Sequence, residues 1–460
     1  MAAEEKLQTG RKVNQITEGV IWKQLLLFFF PILFGTFFQQ LYNAADAMIV
    51  GRFVGKEALS AVGGGTGTII QVLVGFFVGL SSGGTVIISQ YYGAKREEMV
   101  DYAVHTSIAF SLAAGVVMMV GGIAAAPAAL AAMNTPADVM EPSLIYIRIY
   151  FLGIIGNLVY NMGAGILRAV GDSKRPLYFL IASCLTNIVL DILFVVGLKM
   201  GVAGAALATI LSQALSAILV IVVLVRTRDM YRLELKKIRF DKRMFKRIIR
   251  IGLPAGLQSI MYSSSNVIIQ SSVNSLGTDT VAAWTAYSKI DSMYWMIISA
   301  FGISVTTFVG QNYGAGKQDR VRKGVRECLA MSFGTTIVLS ALLYFFGVYF
   351  YSLFTADAAV VEIGIGMLRY LAPVYFTYVA IEILSGALRG VGDCWLPMLI
   401  SCVGICVLRV LWIMVVVPMR RDIYNIMFSY PLTWVTTSIL FVVYYLFFSK
   451  MKREKRGKHA

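Results

Sequence analysis

The sequence predicts an all-α polytopic membrane protein, with twelve transmembrane helices in two pseudo-symmetric six-helix lobes. Three observations carry that expectation: a composition poor in charge, apolar stretches of membrane-crossing length along the whole chain, and an internal repeat at a fixed offset. Hydrophobic residues make up 58% of the 460 and charged residues only 14%, against about 25% charged in an ordinary soluble domain. A soluble chain of this length would divide into domains with polar surfaces, and these charges are too few to cover them. Much of the surface must therefore face lipid. The net charge of +16 would point to nucleic acid if the basic side chains formed a patch on a folded domain. They gather instead in the breaks between apolar stretches, with no aromatic-interleaved basic module. The bilayer is the expected partner, and nucleic acid is not.

Each span follows from an apolar stretch near the ~20 residues needed to cross a bilayer. These lie at 21–44, 59–81, 102–126, 143–165, 176–197, 203–225, 250–273, 281–308, 327–350, 362–385, 396–418 and 425–448. Backbone groups must be satisfied inside lipid, so the spans are helices, and the short alternating segments of a membrane barrel are absent. The polar first two dozen residues precede the first run without a signal-peptide cleavage pattern after it, so that run is read as a retained span. The chain divides into an N-lobe at 1–225, a basic linker at 226–249 and a C-lobe with a basic tail at 250–460. The stretch from Arg226 to Arg250 carries eleven Lys/Arg and three acids. Lys95, Arg96, Lys174, Arg175 and the Lys317–Arg326 cluster fall on the same side in a twelve-span topology. Arg420 and Arg421 are an exception. On balance the linker and both termini are expected in the cytoplasm.

The repeat accounts for the count of twelve. GILRAVGD around Gly165 reappears as GALRGVGD around Gly386, an offset of 221 residues. Gln90-Tyr-Tyr-Gly93-Ala matches Gln311-Asn-Tyr-Gly314-Ala at that offset, as Pro176 matches Pro397 and Arg148 matches Arg369. Pro31 and Pro254 correspond with two residues of slip. Several matches at one offset mark a duplication. Six spans per half give both halves the same orientation, a parallel repeat with the substrate path between lobes.

Polar groups inside the spans are the candidates for chemistry, since an intramembrane charge costs about 2.5–3.5 kcal/mol on insertion scales. In the first span Gln39, Asn43 and Asp46 share a helix face, next to Tyr42. Asn157 and Asn161 in the fourth, Asn187 and Asp191 in the fifth, and Thr209 and Gln213 in the sixth each stand four apart. Two carboxylates with amide and hydroxyl oxygens make a hard-oxygen set suited to Na+, or to a proton held between close carboxylates. The competing readings are structural: Asp46 as an interfacial residue snorkelling to water, Asp191 as a packing hydrogen bond, and the amides and hydroxyls as helix–helix glue. In the second half, Lys289 and Asp291 are read as a pair, and Glu382 as either an ion pair with Arg409 or a substrate contact. The LRAVGD and LRGVGD loops are read as capping and hinge elements. Five cysteines lack metal-ligand or CxxC spacing, and Cys402 and Cys406 are read as small packing residues. Two histidines, His105 and His459, make no histidine metal site. The 27 Phe, 23 Tyr and 21 Met suit an adaptable cavity and a lipid-facing surface equally.

The paired LRxVGD loops, the QxYGA turns, Pro31 and the Asn187-xxx-Asp191 pattern resemble the multidrug and toxic compound extrusion (MATE) transporters over essentially the whole chain. Within that family the chain is similar to the DinF-like branch. The resemblance implies a coupling-ion site on Asp46, Asn187, Asp191 and Thr209, with Gln39 part of the same pattern. In the NorM-like branch acids stand in the seventh and tenth helices, where this chain has Tyr262 and Tyr378, so that site is not carried over; Glu382, one turn on, is a partial substitute. The implied function is a Na+- or H+-coupled antiporter, neither enzyme nor cofactor-dependent. It would export cationic amphiphilic drugs by alternating access, as a monomer in the bacterial cytoplasmic (inner) membrane. Substrate contacts are expected from Gln39, Tyr42, Asn43, Asn157, Asn161, Gln213 and Glu382. The alternative reading is a lipid-linked oligosaccharide flippase of the same superfamily, against which the acidic, amide-rich first half counts. An intramembrane enzyme would need a His, Ser or metal constellation, and His105 stands without visible partners.

Overall fold

A computed structural model describes residues 16–354 and 357–450. The basic tail at 451–460 and His459 lie outside them. Twelve helical rods follow in order: α1 (Ile21–Phe53), α2 (Lys56–Gly93), α3 (Glu97–Ala132), α4 (Ala137–Leu152 and Ile154–Ala169), α5 (Lys174–Gly197) and α6 (Gly201–Arg226) form the first lobe. The second lobe holds α7 (Lys242–Asn274), α8 (Thr278–Gly314), α9 (Gln318–Ser352), α10 (Ala358–Val374 and Phe376–Gly390), α11 (Trp395–Met419) and α12 (Ile423–Phe448). Among the described residues nine are long and apolar enough to cross a membrane, and α4 and α10 qualify as bent pairs. Only α7 falls short, for a physical reason. It opens on Lys242, Arg243, Lys246 and Arg247, and its far half carries Asn266 and Gln270, which line a cavity rather than lipid.

The duplication is visible in backbone detail. Both LRxVGD segments end a helix with the same wrap: Asp172 N–H donates to the Leu167 carbonyl at 2.9 Å and Asp393 N–H to Leu388 at 2.9 Å. The glycine of each motif takes a positive φ, 101° at Gly171 and 77° at Gly392, which a side chain would strain. The expected capping role belongs to Asp172, which accepts from the Arg175 N–H at 3.1 Å and pairs with its guanidinium at 3.3 Å. The α4 and α10 rods bend by 48° and 53° at corresponding places, Gly153 and the Ala372–Val374 turn.

The lobes meet on the face that carries Lys95, Lys174, the 227–241 connection and Lys317, here called the basic face. Gly75, Gly79 and Gly83 form a stripe on α2 at a four-residue spacing that lets α7 approach to backbone contact. A Cβ at Gly79 would stand 2.6 Å from the Gly256 nitrogen. Nearer the face, α2 crosses α8 so closely that a Cβ at Gly93 would collide with the Gln311 backbone, and one at Gly314 with the Gln90 backbone. The two glutamines of the repeat then reach across in opposite directions. Gln90 Nε2 donates to the Gly390 carbonyl at 2.7 Å, and Gln311 Nε2 to the Ala169 carbonyl at 2.6 Å. Each QxYGA turn thereby grips the LRxVGD end of the other lobe. Phe29 of α1 stacks on Phe301 of α8 at 4.1 Å, and Arg320 holds the carbonyls of Glu18 and Gly19 at 2.7 and 2.8 Å.

The connection between the lobes is itself docked. His105 Nε2 accepts from the Glu234 N–H at 3.0 Å, which leaves Nδ1 to donate to the Asp101 carbonyl at 2.8 Å. Thr106 accepts from the Asp241 N–H at 3.1 Å, and Asp241 caps α7 by accepting from Met244 at 2.8 Å. His105 is thus a fully used structural group, with no ring nitrogen left for chemistry. All five cysteines are buried and unbridged.

Candidate functional site

The first lobe buries a set of polar groups that the hydrophobic surroundings do not satisfy. Asp46 comes from α1, Asn187 and Asp191 from α5, and Thr209 and Gln213 from α6. The helical period that sets Asn187 and Asp191 four apart turns both toward α1. Asn187 and Asp191 are 0% exposed, Thr209 4%, Asp46 6% and Gln213 7%. One Asp46 oxygen, both Asp191 oxygens, both Asn187 amide atoms, the Thr209 hydroxyl and the Gln213 amide oxygen have no hydrogen-bond partner. A buried polar atom left unpaired costs about 1–3 kcal/mol, more when charged. Several such atoms gather in this one lobe.

The members lie within electrostatic reach of one another. Asp46 lies within electrostatic reach of Asp191, and three tyrosines lie near members of the set. Tyr42 faces Gln213 and Asp46, Tyr150 faces Gln213, and Tyr146 faces Thr209 and Asp46. Asp46 is therefore enclosed, not snorkelling to water, and Asp191 makes no packing hydrogen bond. Among the described residues no three His, Cys, Asp or Glu side chains converge as a metal group. The donor set is two carboxylates with neutral amide and hydroxyl oxygens, a hard-oxygen set.

The remaining expected contacts distribute differently. Tyr42 is half-buried in the cluster, whereas Gln39 and Asn43 are exposed, so the polar face of α1 runs from the enclosed Asp46 to open surface. Asn161 donates to the Asn157 carbonyl at 2.9 Å and to its amide oxygen at 3.0 Å, so this pair closes on itself. Tyr146 and Tyr150, absent from the expected set, stand four apart on α4; that spacing is their only signal in the sequence.

Two readings of the second lobe are corrected. Lys289 is exposed and does not pair with Asp291, because residues two apart on a helix point to different faces. The Asp291 carboxylate instead accepts from the Tyr375 hydroxyl at 2.6 Å, the Trp295 indole at 2.6 Å and the Tyr287 hydroxyl at 3.3 Å. Glu382 does not pair with Arg409 either. Its ion partner is Arg389, at 3.8 Å and two turns along the same helix, and it accepts from the Tyr378 hydroxyl at 3.4 Å. Tyr262, Tyr378 and Glu382 line one cavity.

The MatE family model matches the chain twice, over residues 31–193 and 254–415. The chain belongs to the MatE family. Each match falls inside one lobe of this MatE protein, so the duplication in the sequence is the family's own domain present twice. A Bacillus subtilis relative, the probable multidrug resistance protein YoeA, is 30% identical over 464 residues, with 99% of both chains covered. The Staphylococcus aureus (strain N315) multidrug export protein MepA is 23% identical over 76% of this chain and 77% of its own. Among solved structures, a MATE in the bent conformation superposes with a TM-score of 0.90 at 23% identity, covering 97% of this chain and 99% of that one. An outward-facing multidrug resistance MATE transporter of the MOP superfamily gives 0.89 at 23%, covering 96% and 98%. These two structural likenesses are of fold.

Proposed function

We propose that this chain is an ion-coupled antiporter that exports cationic amphiphilic drugs by alternating access, taking up Na+ or H+ in the first lobe. The observation that carries the reading is the enclosed, unpartnered oxygen set of Asp46, Asn187, Asp191 and Thr209. The names of the relatives, multidrug resistance and multidrug export proteins, support the drug-exporting half of it. The excess of Lys and Arg on the basic face supports placing that face in the cytoplasm of a bacterial cell.

The geometry supplies a mechanism. With Asp46 and Asp191 ionised, the first lobe carries negative potential that favours a cationic substrate. An entering Na+ or H+ neutralises the pair and offers the unpartnered oxygens a ligand, drawing α1 against α5. The same α1 is stacked on α8 through Phe29 and Phe301. A shift of α1 at the ion site is therefore felt at the lobe interface, where the Gln90 and Gln311 bonds on the basic face form or break. The driving force is sufficient: 100 mV supplies about 2.3 kcal/mol for each charge moved inward.

Purified protein in proteoliposomes, loaded with ethidium and given Na+ and pH gradients separately, tests the proposal. Ethidium should move uphill against one of the two gradients. Transport indifferent to both, or no ethidium transport at all, would sink it.

A further inference from the structure

The turn between α4 and α5 borders a cavity of about 540 Å³ on the basic face, apart from the oxygen cluster and from the aromatic cavity. Three segments wall it: the start of α1, the turn itself, and the connection between the lobes, which brings Asp229 and Tyr231. Its volume is that of a small-molecule site, about 300–1,000 Å³. Neither the hinge role of the turn nor the proposed ion coupling uses this space.

The polar end of the cavity carries both signs of charge. Ser173 lines it and is 5% exposed. It stands at the N-cap of α5, yet its side chain makes no capping bond, nor any other hydrogen bond among the described residues. An enclosed hydroxyl without a partner is destabilising until something supplies one. The α5 helix opens beside it on Lys174, and a helix N-terminus favours an anion. Lys174 is exposed and joins no ion pair among the described residues. The two acids in the wall differ. Asp172 is paired with Arg175, as described above. Asp229 accepts from the Tyr92 hydroxyl at 3.3 Å and from the Met230 N–H at 2.8 Å, but no cation pairs with it among the described residues. One cation and one carboxylate thus stand unpaired around one cavity, and its lining charges sum to zero.

The opposite end is apolar, lined by Leu27 and Phe28 of α1. From there Leu27, Phe30 and Phe34, 46%, 48% and 49% exposed, form a strip along one face of α1 toward the middle of the span. Trp22 on α1 and Tyr178 on α5 are 52% and 59% exposed near the starts of their helices, the depth at which amphipathic rings favour the membrane–water interface. A ligand that fills this cavity therefore has a charged end on the basic face and an apolar end in lipid.

We infer that the cavity holds the headgroup of a phosphatidylethanolamine molecule from the adjoining leaflet. Its phosphate docks on Lys174 and the Ser173 hydroxyl, its primary ammonium donates to Asp229, and its acyl chains follow the strip of α1. Phosphatidylcholine has the same charges but no N–H to donate, and phosphatidylglycerol has no cation for Asp229. The bound lipid ties the start of α1 to the start of α5. The inference is independent of the export reading, because it concerns a site that no substrate need enter.

Native mass spectrometry of the purified full-length protein, titrated with the dioleoyl forms of the three lipids, tests it. Wild-type protein should bind phosphatidylethanolamine about tenfold more tightly than either of the others, as a charge-assisted hydrogen bond implies. Asp229→Asn should bring the ratio to phosphatidylcholine near one. Lys174→Gln should weaken phosphatidylethanolamine and phosphatidylcholine together and leave their ratio unchanged. Both residues are exposed, so both variants should fold as the wild type does. Soluble phosphoethanolamine, which lacks the chains, should fail to displace the lipid at equal concentration. Equal wild-type binding of the three lipids overturns the inference. So does a preference that survives in Asp229→Asn, or displacement by phosphoethanolamine, which would make this a site for a soluble phosphate.

Discussion

Asp46 and Asp191 are buried carboxylates within electrostatic reach of each other, a costly arrangement while both are charged. Neutralising either one relieves the repulsion and lowers the cost of burial. Asp46→Asn and Asp191→Asn should each melt above the wild-type temperature in Na+-free buffer, by about 2 °C or more. The same variants should lose any rise in melting temperature that Na+ gives the wild type, because a ligand that binds only the native state stabilises it by mass action. Equal Na+-dependent stabilisation of wild type and variants would place ion binding elsewhere. At this scale the sequence was readable where helical spacing puts residues on one buried face, as with Asn187 and Asp191 or Thr209 and Gln213; on the first helix only Asp46 of the Gln39, Asn43 and Asp46 face is buried. It was unreadable where the partner is remote. Asp291 finds Tyr375, which lies 84 positions away, while the nearby Lys289 points elsewhere. Glu382 and Arg389 were readable in principle, since seven residues are two turns. Tyr146 and Tyr150 were not, because an aromatic residue in a span fits lipid as well as a pocket.

Among the helices, the repeated motifs find their use in contact between lobes rather than in catalysis. Gln90 and Gln311 each close a hydrogen bond onto the opposite lobe, and Gly93 and Gly314 allow the crossing that brings them there. A net hydrogen bond is worth about 0.5–1.5 kcal/mol, so Gln90→Ala and Gln311→Ala should each shift the equilibrium between open and closed basic face by about threefold to tenfold. Interlobe distances from paired spin labels on α2 and α8 would report it. Gly93→Val should act more strongly, since its side chain meets backbone that cannot rotate away. Unchanged distance distributions in all three variants would show that these contacts do not hold the basic face closed. The repeat itself was plain in the sequence, and so was the helix-ending role of LRxVGD. The reciprocity was not, because a match at fixed offset says that two segments are alike, not that each grips the other's neighbour.

For the molecule as a whole, duplication supplied two lobes of one topology, and divergence gave them different chemistry. The first encloses oxygens without partners; the second supplies the aromatic wall of a cavity that Thr36, Gln40 and Gln71 of the first also line, and in it Asp291 and Glu382 already have theirs. The fold was largely legible, since apolar length and the repeat together require twelve helices even where α7 is too polar to be recognised alone. Its polarity has its cause in the cleft it lines, which no single-span reading contains. In the proposed mechanism coupling resides in the first lobe. The most direct test compares the ion-gradient dependence of ethidium transport in Asp191→Asn and Glu382→Gln, reconstituted side by side. Asp191→Asn should lose the dependence on the driving gradient, while Glu382→Gln, at whatever rate it transports, should keep the wild-type dependence. Coupling that survives in Asp191→Asn, or that disappears in Glu382→Gln, would contradict the claim.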